Sequence, residues 1–241
     1  MQSHVGTSGF SYAEWKGSFY PKGTRSADML PYYASRLPTV EINNTFYRLP
    51  RPPLLEGWRD RTPEGFTFAV KASRRITHFK KLRETGDLLD YLLSNLVVLG
   101  PRLGPILFQL PPTVRLDLDL LRAFLADVAP RARDLPRSRI VLEFRHASWF
   151  VDETYELLEA AGAALCAGDG DDEGRVPPPL VRTAPFVYAR LRNDVYSDAD
   201  LTQWAERLRA LEAEEVFVYF KHEVEGPHLA ERLQRLLIDA Q

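Results

Sequence analysis

Cysteine is nearly absent from this chain, Cys166 being the single one. That excludes an intramolecular disulfide framework and a zinc site built from cysteine thiolates. Its surroundings, AALCAG, suit an inert core thiol better than a reactive one. A dominant charge is lacking too. Lys plus Arg number 31 against 33 Asp plus Glu, a formal net charge of −2, so bulk attraction to nucleic acid or membrane is absent and any phosphate recognition has to be local. No apolar run approaches the roughly 20 residues of a membrane span. The opening MQSHVGTSGF has no basic segment leading into a long apolar one. A soluble, cytoplasmic protein with no membrane association is expected. Histidine pairs of the HxH or HExxH kind, full phosphate-loop spacing, fixed-period repeats and interdomain linkers are also missing. Nothing in these patterns asks for a cofactor.

What is present is alternation. The 241 residues, 45% hydrophobic, fit one sizeable core, and a single domain over 1–241 is expected. Short apolar runs (HVGTSGF, TVEINNTFY, FTFAVKAS, PILFQLP, RIVLEFR, AALCAGD, PFVYARLR and EVFVYFK) are separated by amphipathic stretches. LTQWAERLRALEA, for example, sets Leu201, Trp204, Leu208 and Leu211 at helical spacing. Strand and helix in alternation give an α/β fold with parallel strands, and eight runs point to a TIM-type barrel. After AALCAGD the expected helix is replaced by GDDEGRVPPPLVRT, an irregular loop by composition and the best candidate for a mobile segment.

In a parallel barrel the outer face of each strand meets helices and is apolar, whereas inward residues near the carboxyl ends are free to be polar. Strand parity then sorts the residues. Val40 and Ile42 face out and Glu41 and Asn43 in; Phe66, Phe68 and Val70 out and Lys71 in; Phe108 and Leu110 out and Gln109 in. In VLEFRHASWF, Glu143 and Arg145 face in. Val187, Ala189 and Leu191 leave Tyr188, Arg190 and Arg192 opposite, and Val216, Val218 and Phe220 leave Phe217, Tyr219 and Lys221. The polar interior so gathered is Glu41, Asn43, Lys71, Gln109, Glu143, Arg145, Arg190, Tyr219 and Lys221. Four cations facing two carboxylates exceed what mutual pairing consumes, which favours an anionic ligand over a closed salt-bridge plug.

GTSGFSYAEWKGSFYP, VEINNTFYRLP, FAVKASRRITH, FQLPP and VLEFRHASWF resemble the signature blocks of the YecE-like family, also called domain of unknown function 72. The resemblance spans almost the whole chain and implies a TIM-type barrel; the family's name assigns no reaction. This chain departs from the family's tendencies on its last two strands, where it reads RLRN and YFKHEVEGPH.

The expected function is binding or transformation of a phosphate- or carboxylate-bearing small molecule. Lys71, Arg145 and Arg190 hold the anion, Glu41 or Glu143 serves as general base, and Asn43 and Gln109 orient hydroxyls. Glu41, Lys71 and Glu143 are the catalytic candidates. Asn43, Gln109, Arg145, His146, Trp149, Arg190, Tyr219, Lys221 and His78 are the ligand-binding ones, with His78 and His146 just past inward cations and Trp149 following a strand end. Two other readings compete. Glu41, Glu143, His146, Asp169 and His222 have metal-ligand chemistry, but Glu143 and His146 are out of phase on an extended strand. Arg74–Arg83, RRITHFKKLR, gathers five Lys and Arg with a histidine and an aromatic and suits nucleic acid as the alternative partner.

Overall fold

The computed structural model describes every residue except 49, 134, 136–138, 171–175 and 239–241. Eight strands form: β1 (Gln2–Ser8), β2 (Thr39–Ile42), β3 (Thr67–Lys71), β4 (Leu103–Gln109), β5 (Arg139–Glu143), β6 (Ala164–Gly168), β7 (Phe186–Leu191) and β8 (Glu215–Phe220). They pair in sequence order, all parallel, and β8 returns to β1 to close the barrel. Helices α1 (Ser26–Arg36), α2 (Pro52–Arg59), α3 (Gly86–Leu96), α4 (Leu118–Ala132), α5 (Asp152–Ala160), α6 (Asp198–Arg209) and α7 (Gly226–Ile238) surround it. No helix or strand occurs between β6 and β7 among the described residues, in keeping with the irregular connection expected there. Part of the segment expected to be mobile, residues 171–175, lies outside the described residues.

Parity divides the hydrophobic residues into two bodies. Val40, Ile42, Phe68, Val70, Ile106, Phe108, Leu142, Phe144, Val187, Leu191, Val216 and Val218 join the helix side chains in an outer core. Ala69, Leu107, Val141, Ala164, Cys166, Phe186, Tyr188, Phe217 and Tyr219 fill the inside as a separate cluster. Each large apolar side chain buried in this way contributes ~1.5–3 kcal/mol. The inner filling is lopsided: β3 and β6 offer small residues, Ala69, Ala164 and Cys166, while β7 and β8 offer tyrosine and phenylalanine. Long side chains from β7 therefore have room to cross the barrel.

The two ends are built differently. At the amino end His4 stacks on Phe217, with ring centroids 4.6 Å apart, and lies 3.6 Å from Glu215, which also pairs with Arg139. Arg139 in turn lies over Phe217 and Phe186. This ion and ring cluster closes the floor. Between β1 and β2, α1 reaches into the sheet: Tyr33 Oη accepts from Thr7 N at 2.9 Å and donates to the Thr39 carbonyl at 3.0 Å, standing in for a direct bond between the two strands. A Cβ on Gly6 would come within 2.0 Å of that same carbonyl, so only glycine fits there.

Candidate functional site

The carboxyl ends of β2, β5 and β7 carry the charged residues that parity turned inward, and the structure brings them together. Arg190 crosses from β7 and clamps both carboxylates. Its Nη1 donates to Glu143 Oε2 at 2.7 Å, its Nη2 to Glu41 Oε1 at 3.0 Å, and its Nε lies 3.0 Å from Glu41 Oε2. Glu41 also accepts from Ser8 Oγ at 2.8 Å, Asn43 Nδ2 at 2.8 Å and Tyr188 Oη at 2.6 Å. Glu143 accepts from Gln109 Nε2 at 2.9 Å and pairs with Arg145 Nε at 2.7 Å. All three clamped groups are buried, Glu41 completely.

These contacts decide the protonation states. Burial alone would raise the Glu41 carboxyl, but Arg190 and Arg192, with the hydrogen bonds from Tyr188 and Asn43, more than offset it and hold it at about 2. Burial acts on Glu143 in the same way, and Arg190, Arg145 and Lys71 overcome it, keeping that carboxyl well below its usual range. Both are therefore anions at neutral pH, each held at both oxygens by neighbouring donors. This corrects the expectation of a general base at Glu41 or Glu143: each is a fixed negative charge that holds the cations in place. Cys166 beneath them is buried and its thiol is pushed up by desolvation, so it stays protonated.

Above the clamp is an excess of positive charge. Arg192, placed on the inner face by parity but not counted with the interior, belongs to the site. Its backbone N–H is held by Asp169 at 2.8 Å, and its Nη2 lies 3.7 Å from Glu41. Among the described residues its Nε and Nη2 are buried with no hydrogen-bond partner. Burial and the neighbouring Arg190 lower the Arg192 guanidinium from its ordinary value. The Lys71 amine, at the end of β3, makes no hydrogen bond or ion pair among the described residues; its Nζ rests 4.4 Å from the Phe46 ring centre. Burial, followed by the charge of Arg190, brings its amine down to about 8. Arg145, Arg190, Arg192 and Glu143 line a narrow recess of about 20 Å³, flanked by Gly168, Pro177 and Pro178.

Other expected site residues lie elsewhere. Lys221 pairs with Asp194 at 3.2 Å and Glu223 at 3.8 Å on the rim, where those acids take its charge away from the clamp. Tyr219 faces inward but deep, its hydroxyl bonded to Thr39 Oγ1 at 2.8 Å in the inner filling. Trp149 is a correction. It is fully buried in the outer core, stacked on Phe144 at 4.3 Å, and its indole N–H donates to the Val114 carbonyl, so it cannot stack on a ligand. The chain leaves the sheet after Glu143, and the short turn Ala147–Trp149 carries the indole outward.

The half-buried histidines divide. His78 packs edge-on against Phe46 at 4.9 Å and shares a hydrogen bond with Thr77. Burial, with the cations Lys71, Arg145 and Arg74, keeps its imidazole below the usual value, hence neutral at pH 7. His146 Nδ1 accepts from the Ser148 N–H at 3.1 Å. The alternative metal set is not gathered, since Asp169 is engaged by Tyr196 and Arg192 while His222 lies exposed against Tyr12. Among the described residues no three of His, Cys, Asp and Glu cluster as a metal site would. Sequence reasoning also missed Ser8 and Tyr188 as partners of Glu41; parity had set Tyr188 inward, which was the available signal.

With this geometry in view, comparison with known proteins places the chain. It is 32% identical to the UPF0759 protein YunF of Bacillus subtilis over 184 residues, covering 69% of this chain and 62% of YunF. It is 37% identical to the UPF0759 protein YecE of Escherichia coli K12 over 95 residues, covering 39% of this chain and 35% of YecE. Aligned segments thus span less than two thirds of either relative. The crystal structure of a DUF72 family protein from Thermotoga maritima MSB8 superposes with a TM-score of 0.82 at 26% identity, covering the whole of both chains. A DUF72 family protein from Enterococcus faecalis V583 gives 0.80 at 21% identity over 98% of this chain and 95% of that one, which attests the shared fold. The family described as protein of unknown function DUF72 matches residues 4–241, and the chain belongs to it.

Proposed function

We propose that the mouth of the barrel binds a small molecule bearing a phosphate or carboxylate. The observation that carries this reading is the edge of Arg192, two buried guanidinium nitrogens without a hydrogen-bond acceptor among the described residues, Nη2 lying 3.7 Å from Glu41. A buried donor left unmade costs about 1–3 kcal/mol, and an anion seated against it would remove that cost. The local charge agrees: Arg145, Arg190, Arg192 and Lys71 stand against Glu41 and Glu143, leaving one or two positive charges for a ligand. Arg190 holds the carboxylates; Arg145, Arg192 and Lys71 meet the anion, with Asn43 and Gln109 holding Glu41 and Glu143. The test is thermal stabilisation by inorganic phosphate, pyrophosphate and malonate at constant ionic strength. Wild type should be stabilised, and Arg192→Leu and Arg145→Ala should each lose about tenfold or more in apparent affinity, as expected for a charge-assisted contact. Equal shifts in all three proteins would refute the site.

A second reading, nucleic acid as partner, rests on the surface beside Lys71. Tyr47 and Phe79 are 70% and 67% exposed, and the Arg74 guanidinium lies 5.5 Å from one ring and 5.3 Å from the other. Exposed rings with interleaved cations form a stacking platform for unpaired bases. Part of the nearby basic charge is already met, Lys80 by Glu84 and Arg83 by Asp117. Fluorescence anisotropy with labelled single-stranded oligonucleotides decides: binding that weakens steeply with salt and is lost in Tyr47→Ala with Phe79→Ala supports it, and salt-insensitive or absent binding removes it.

A further inference from the structure

Lys71 stands out among the charged groups of the mouth because its amine has no hydrogen bond or ion pair among the described residues and meets only the Phe46 ring face. Arg190 takes both carboxylates, Arg145 and Gln109 also hold Glu143, and Ser8, Asn43 and Tyr188 also hold Glu41, so both carboxylates are engaged by other donors. An ammonium that served only to balance charge would sit in an ion pair. This one lies at the carboxyl end of β3, half-buried, against the face of Phe46.

We infer that Lys71 is a covalent nucleophile for a carbonyl compound carrying an anionic group, which Arg145 and Arg192 orient with the carbonyl toward the amine. The inference rests on the anion-binding reading above and names its substrate class. Desolvation and neighbouring cations are the means by which a lysine becomes nucleophilic near neutral pH. The charged groups acting on Lys71 are Glu41 on β2, Glu143 on β5, and Arg190 and Arg192 at β7, while Lys71 itself bears on His78 across the loop after β3. Their balance with burial lowers the amine to about 8, so roughly a tenth is neutral at pH 7.

In the reaction the Lys71 Nζ lone pair forms a bond to the carbonyl carbon and the carbonyl π pair moves to oxygen. A proton passes from nitrogen to that oxygen, giving a carbinolamine. A second proton, taken from solvent, lets the oxygen depart as water while the nitrogen pair forms C=N. Starting from the neutral amine, the balance is one carbonyl and one proton in, one iminium and one water out. No oxidant or reductant is needed. The iminium withdraws electrons from the adjacent carbon, which is the use such a link has in making or breaking carbon–carbon bonds.

The test is reductive trapping of the full chain with cyanoborohydride, using pyruvate and dihydroxyacetone phosphate as carbonyl probes and lactate as the carbonyl-free control. Peptide mapping should place one reduced adduct on Lys71, formed at least about tenfold faster than on exposed Lys16, Lys22, Lys80 or Lys81, as expected for an amine with lowered pKa. The preferred probe tells whether carboxylate or phosphate is the anchor. Lys71→Arg should retain the urea unfolding midpoint and lose the adduct; Arg192→Leu should slow trapping while leaving the surface lysines unchanged. Labelling of Lys71 no faster than of the exposed lysines would overturn the inference. Thermal stabilisation by lactate and phosphate, read in the same samples, separates the two proposals: stabilisation without an adduct refutes the amine chemistry alone, whereas absence of both refutes anion binding as well.

Discussion

Arg190 is the residue on which the mouth depends. Removing a partner from a buried ion cluster costs about 3–5 kcal/mol because the remaining charges are stranded. Arg190→Met should therefore lower the urea unfolding free energy by that order, and Arg190→Lys should recover only part of it, since one ammonium cannot reach both carboxylates in a fork. Lys71 should behave in the opposite sense. Its folded pKa, about 8, lies below the ordinary 10.5, so the unfolded chain binds the extra proton and the charged amine opposes folding at neutral pH. Lys71→Met should stabilise the protein at pH 7 by on the order of 2 kcal/mol. That advantage should fade as pH rises from about 8 to 10.5, where wild type sheds the same proton. Denaturant titrations at pH 7, 9 and 10 would check both the sign and the window. Glu41, Glu143 and Arg190 were legible in the sequence because strand parity is strict within a strand. Lys221 and Arg192 were not separable, because both lie one residue beyond strand ends, where contacts with Asp194, Glu223 and Asp169 decide direction instead.

At the level of the element, the eight strands and the missing helix after β6 follow from hydrophobic period and turn composition, which are local properties. The join between α1 and the β1–β2 pair is not local and left no pattern to read. Tyr33→Phe would strand the Thr7 N–H and the Thr39 carbonyl inside the sheet. It should cost about 1–3 kcal/mol. Amide hydrogen exchange should show it first at Thr7, ahead of any change at β4 or β5; uniform exchange across all strands would argue against a local staple. Trp149 illustrates the same limit, since its fate depended on a turn after β5 that sends the ring into the outer core beside Phe144.

For the whole molecule, the two depressed carboxylates set the response to acid. A carboxyl whose folded pKa lies below the unfolded 4.5 adds stability above that value and loses it as pH falls through the folded one. Wild type should therefore weaken progressively from about pH 5 toward pH 2, with Glu41→Gln flattening that slope while lowering stability at pH 7; urea midpoints across the range would show it. The crossing of Arg190 from β7 to β2 and β5 has a consequence for assembly. The strands it joins are not neighbours, and its guanidinium comes late in the chain, so a nascent barrel holds two inward carboxylates for some 50 residues of synthesis before their shared counterion emerges. Closure of the ring and completion of its charge clamp thus come together, and a half-barrel cut between β5 and β6 would keep Arg145 beside Glu143 but lack the guanidinium that joins Glu143 to Glu41.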